Sequence, residues 1–175
     1  MVENKKEEVS YTVVKLNIKN DEFKSYLENM AFASNNLTNV VIYYCRQWFF
    51  YTQNLYNIEN DIKDFKFHQY DSAKIDDLIQ HMYIYNQQLL QRNKKPIDFV
   101  KHGLNAYFLH YYFKSINQDD YNCKDLSSQT SQQITTKVTQ TFKAFKNSLI
   151  DYYKYLQRFG AWLLFSLESH LWDHL

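Results

Sequence analysis

The chain has 175 residues, enough for one ordinary domain with a sizeable core. Two glycines and one proline leave few sites for tight turns, which argues against a many-stranded sandwich or barrel, and 16 Tyr with 13 Phe make the apolar content strongly aromatic. A formal net charge of +1 excludes a uniformly basic nucleic-acid binder, so any electrostatic signal must lie in how the charges are distributed. Cys45 and Cys123 are single and far apart, giving neither a Cys-x-x-Cys zinc pair nor a disulfide framework. With a charged start, MVENKKEEVS, and no run of about 18 apolar residues, the expected setting is the cytoplasm, without a signal peptide or membrane span.

Val14, Leu16 and Ile18 alternate with Lys15, Asn17 and Lys19, the two-residue period of a half-buried strand, and residues 1–20 are read as one N-terminal strand segment. Asp21 is expected to cap a short helix reaching about Phe32. Ser34 is expected to cap a second, on which Leu37, Val40, Val41, Tyr44 and Trp48 recur at helical spacing, so that the two form a hairpin. Residues 53–70 read as irregular or weakly helical. Ile75, Leu78, Ile79, Met82 and Leu89 mark a helix from about Ser72 to Arg92.

Asn93-Lys94-Lys95-Pro96 predicts a turn, and Pro96 suits the first position of a helix running through Gly103 to about Ile116. After a polar loop from Asn117 to Asp125, Ser128 or Ser131 is expected to cap the longest helix, ending near Phe159. On it Val138, Phe142, Phe145, Leu149, Tyr152, Leu156 and Phe159 share one arc, which predicts the core-facing side. Lys137, Lys143, Lys146, Lys154 and Arg158 lie outside that arc, and Asp151 is the only acid between 137 and 158. The expected fold is therefore mainly α: four to five helices over 21–159, one N-terminal strand, and an apolar tail over 160–175.

The pattern Asn36-Leu37, Asn39, Tyr43-Tyr44, Arg46-Gln47, Phe49-Phe50, followed by a tyrosine-rich stretch from Leu104 to Lys114 and then by Tyr121, Leu126, Gln129, Gln132, Gln133, Phe142, Lys143 and Phe145, resembles one family. It is similar to the N-terminal part of the transposon-encoded, RNA-guided nucleases called TnpB or OrfB, which carry an insertion-sequence transposase label and are related to type V CRISPR effectors. The resemblance spans roughly residues 10–158 and rests on several loosely specific motifs in the right order. It implies that the strand belongs to a small β-barrel and that the helical lobe lies along a guide–target duplex. It also implies that an RNase H-like nuclease and a four-cysteine zinc ribbon would follow in a full-length member. The expectation is thus a truncated, non-catalytic remnant needing no cofactor, whose partners are guide-type RNA and an RNA–DNA heteroduplex or DNA.

On this reading Lys137, Lys143, Lys146, Lys154 and Arg158 contact phosphates, Gln132, Gln133 and Gln140 add amide donors, and Arg46 with Gln47 forms a second contact point. Tyr43, Tyr44, Tyr111, Tyr112, Tyr152 and Tyr153 are more simply core or rim residues than base-stacking platforms. Asp76-Asp77 and Asp119-Asp120 read as cap and solvent groups, and His170 with His174 as a weak metal pair lacking a fixed third ligand. No Gly-rich phosphate loop or nucleophile elbow is present. Two other readings stay open: a helical protein-interaction module with no nucleic-acid role, and a pH- or metal-sensing protein using the C-terminal histidines. Self-association through the strand and the apolar tail is a further expectation.

Overall fold

The computed structural model describes residues 20–59 and 68–172; beyond residue 149 the described side chains are those of Asp151, Tyr152, Lys154 and Tyr155. Five helices follow in order: α1 (Asp21–Glu59), α2 (Ser72–Gln91), α3 (Phe99–His102), α4 (Ala106–Ser115) and α5 (Ser128–Trp172). The expected strand, residues 1–19, lies outside the described residues. The four longer helices close a ring in which α1 packs on α2 and α5, and α4 packs on α2 and α5.

The expected hairpin over 21–50 is instead one helix of 39 residues, about 58 Å at 1.5 Å per residue. Nothing between 21 and 59 stops a helix, for neither Gly nor Pro occurs there. Ser34, read as a cap, donates its hydroxyl to the Met30 carbonyl at 2.7 Å, and Thr38 does the same to Ser34 at 2.8 Å. Both are back-bonded within the helix rather than starting a new one. The cap is Asn20 rather than Asp21: its Oδ1 accepts from the Phe23 amide at 3.0 Å. The irregular stretch expected from residue 53 is helical as far as Glu59.

Asparagine supplies much of the turn chemistry that two glycines cannot. Asn93 (φ 55°) and Asn117 (φ 50°) take the left-handed position after α2 and α4. Each is closed by a pair of backbone bonds, Lys94 N to Leu89 O with Asn93 N to Leu90 O, and Gln118 N to Phe113 O with Asn117 N to Lys114 O. The helix expected from Pro96 through Ile116 is broken at Gly103, whose φ of 75° and ψ of −178° leave the helical region. Asn105 then re-starts it by accepting from the Phe108 amide at 2.9 Å.

The extended link between α2 and α3 is held by Asn86, whose side chain both accepts from the Ile97 amide (2.9 Å) and donates to the Ile97 carbonyl (3.0 Å). Trp48 Nε1 donates to the Phe99 carbonyl at 2.9 Å in a buried setting, tying α3 to α1. Asn54 grips His68 in the same two-bond manner. The core gathers on rings: Tyr44 meets Tyr112 edge-on at 5.4 Å, Tyr112 stacks on Phe108 at 5.9 Å, and the buried Tyr112 hydroxyl donates to Asp77 at 2.5 Å. Asp77 is therefore a solvent-reaching carboxylate that also accepts from the core, while Tyr44 and Tyr112 do belong to the core.

The core-facing side of α5 differs from the expected apolar arc. Ser131, Thr135 and Thr139 are the buried positions; Val138 and Phe142 flank them half-buried, and Phe145 and Tyr152 are exposed. Thr135 donates to the Ser131 carbonyl at 2.8 Å and Thr139 to the Thr135 carbonyl at 2.9 Å, so two of these hydroxyls are satisfied inside the helix and present only small volume to α1 and α4. The helix is capped by Ser127, which accepts from the Thr130 amide at 3.1 Å, rather than by Ser128 or Ser131. It also runs past the expected end at Phe159, because a single Gly160 costs only about 1 kcal/mol against alanine and the following residues include good helix formers.

Two substitutions test this account by chemical denaturation. Asn86→Ala, which strands both Ile97 backbone groups, is expected to lose about 1–3 kcal/mol. Thr135→Leu, which adds hydrophobicity at a fully buried site, is nevertheless expected to destabilise by about 1–3 kcal/mol through overpacking, whereas Thr135→Val, of similar volume, loses about 1 kcal/mol with the hydroxyl's bond to Ser131.

Candidate nucleic-acid interface

A broad groove of about 1180 Å³ lies between the first half of α5 and the segment from Ile97 to His110. One wall carries Gln129, Gln132, Gln133, Thr136, Lys137, Gln140 and Lys143, every fourth or third residue of the α5 face next to the buried hydroxyl stripe. The other carries His102, Leu104, Asn105, Tyr107 and His110, which the Gly103 break and the Asn105 cap turn toward α5. A small cavity of about 30 Å³ adjoins it, sharing His102, Leu104, Thr139 and Lys143 and reaching Cys45, Phe49 and Lys146.

Among the described residues no carboxylate lines either space. Lys137 and Lys143 are exposed, Lys146 is half-buried, and none of the three pairs with an acid among the described residues. Burial pushes the Lys146 ammonium below its ordinary pKa, a shift that a neighbouring anion would oppose. Gln132, Gln133 and Gln140 are exposed beside these cations. Five expected contact residues, Gln132, Gln133, Lys137, Gln140 and Lys143, thus share one groove, and Lys146 borders the adjoining cavity.

The remaining expected residues are elsewhere. Arg46 is exposed on α1 with its guanidinium 5.7 Å from the Phe50 ring centre, and lines neither space. Gln47 accepts from the Asp71 amide at 2.6 Å and so helps to seat the start of α2. Lys154 stands near Asp151 at 3.7 Å, an exposed ion pair of little energetic weight. The side chains of Arg158, His170 and His174 lie outside the described residues. Among the described residues no group of three His, Cys, Asp or Glu side chains is placed to hold a metal ion.

Sequence reasoning missed Tyr107, His102 and His110. His102 and His110 stand apart along the axis when the stretch is read as one helix; Gly103 between them, four residues before Tyr107, was the available signal for a bend. Cys45 is a poor nucleophile, since burial pushes its thiol up to about 12. No helix among the described residues is long and apolar enough to cross a membrane. No family model, curated protein or solved structure matches the chain.

His110 is held below the ordinary histidine pKa, first by burial and then by Lys114, and its Nδ1 lies 3.2 Å from the Tyr121 hydroxyl. A histidine whose folded pKa is lowered binds fewer protons than its unfolded counterpart, so its effect on stability is absent well above the unfolded value near 6.5 and grows unfavourable as pH falls below it. In thermal melts at stepped pH, wild type is expected to lose stability on going from about pH 7.5 to 5.5 more steeply than His110→Gln.

Proposed function

We propose that this chain is a nucleic-acid-binding module, the recognition part of a TnpB-like transposon protein, which holds the sugar-phosphate backbone in the groove along α5. One observation carries the reading: five of the residues expected to contact phosphate and sugar, Gln132, Gln133, Lys137, Gln140 and Lys143, line one groove in which no described carboxylate stands and whose lysines pair with no described acid. Each lysine that neutralises a phosphate releases condensed counterions, which makes binding favourable and salt-dependent. The glutamines donate to phosphate and sugar oxygens and set the register. The order of motifs from Asn36 to Phe145 supports the family assignment, and guide-type RNA is the partner class it suggests. On this reading the module contributes affinity and carries out no bond-breaking step itself.

A second reading, a protein-interaction module, draws on the exposed Phe23, Tyr26 and Phe32 near the start of α1. It leaves the groove's cluster of cations and amides unexplained, so it ranks behind the first.

Titration of labelled RNA at stepped salt separates the two. With three lysines engaged, the log–log slope is expected between about −2 and −3, and affinity to fall roughly 20- to 40-fold from 50 to 200 mM salt. Lys137→Gln and Lys143→Gln are each expected to flatten the slope by about 0.7–0.9. Arg46→Gln is expected to leave it unchanged. Binding that ignores salt, or that depends on Arg46 and not on Lys137 or Lys143, would refute the groove.

A further inference from the structure

Tyr107 is 79% exposed at the groove, whereas its neighbours on α4, Phe108, Leu109, Tyr112 and Phe113, are fully buried. Among the described residues it makes no hydrogen bond and no ring contact, its one electrostatic neighbour being the Tyr85 hydroxyl, although the core one turn away is built from ring contacts. Gln132, Gln133, Asn105 and His110 line the same groove. The groove therefore offers an open aromatic face and several amides, in addition to its cations.

We propose that the groove takes a single strand, with one base unstacked onto the Tyr107 ring, in preference to a duplex. The inference rests on the nucleic-acid reading above and narrows its ligand. A stacking ring needs a free base face, which single strands and loops supply and paired stacks withhold. The amides likewise have both donors and acceptors to offer base edges, and in a duplex the Watson–Crick edges are already paired. Along α5, Lys137 to Lys146 spans about 13.5 Å at 1.5 Å per residue, a length that matches only a few nucleotide steps. A volume of about 1180 Å³ in an open groove also exceeds the ordinary range of small-molecule sites, roughly 300–1,000 Å³, and favours a segment of polymer.

The test is fluorescence anisotropy with a labelled uridine oligonucleotide about ten nucleotides long, its deoxy counterpart, and the same strands annealed to complements, each at stepped salt. Both single strands are expected to bind at least about tenfold more tightly than the duplexes. Tyr107→Ala should weaken single-strand binding about 5- to 100-fold, with little change in salt slope or in duplex binding, while Tyr107→Phe, which keeps the ring face, stays near wild type. Because Tyr107 is exposed, an unchanged melting curve for Tyr107→Ala is the fold control. Duplex binding as tight as single-strand binding, or a Tyr107→Ala variant with undiminished single-strand affinity, would overturn the inference even if the lysine-dependent slope remained. Loss of that slope would instead remove the nucleic-acid reading beneath it.

Discussion

The stretch from Asn93 to Asn105 is the part of this bundle on which the rest of the groove depends, and three side-chain hydrogen-bonding groups hold it. Asn86 supplies Ile97 with both partners that a neighbouring strand would have given, and Trp48 supplies one to Phe99. Without Asn86 the extended link would carry an unmet amide and carbonyl at Ile97, and without the Phe99 carbonyl, which also accepts from Gly103, the buried Trp48 indole would lack its partner, costs that folding rarely tolerates. With these bonds made, His102, Asn105 and Tyr107 are set at a fixed distance from α5. The groove is thus a by-product of satisfying backbone groups, positioned by residues that do not line it.

Electrostatics then distinguish this surface from the rest of the protein. A net charge near zero conceals a segregation: no described acid lines the groove, and some are engaged elsewhere, as Asp71 and Asp98 are in capping α2 and α3, and Asp77 is in meeting Tyr112. Lys137, Lys143 and Lys146 are left without an acidic partner among the described residues. A polyanion is the ligand that most simply complements a row of unpaired cations flanked by amides. The same field would be diluted if Asp98 or Asp77 projected into the groove, and their capping and core bonds keep them out of its lining.

Much of the helical content was legible in the sequence, because α2 and the long α5 show clean periodicity and the loop between Asn117 and Asp125 is polar throughout. Three features were not. Ser34 carries the sequence signature of a cap, yet its hydroxyl can bond the preceding turn equally well, and only packing decides between the two. Apolar arcs report where hydrophobic residues lie, not how closely two helices approach; at α5 close approach selected Ser131, Thr135 and Thr139 for the interior. The lysines and glutamines of α5 were correctly grouped because they share one helix. Their opposite wall was not, since it depends on a bend at Gly103 and on contacts from residues 48 and 86, remote in the chain.

The left-handed asparagines after α2 and α4 carry a consequence at the level of the gene. Glycine codons begin with two guanines, whereas asparagine codons begin with two adenines. A coding sequence drifting toward A and T would lose the first before the second. A fold whose helix stops accept asparagine can follow that drift without rebuilding its corners.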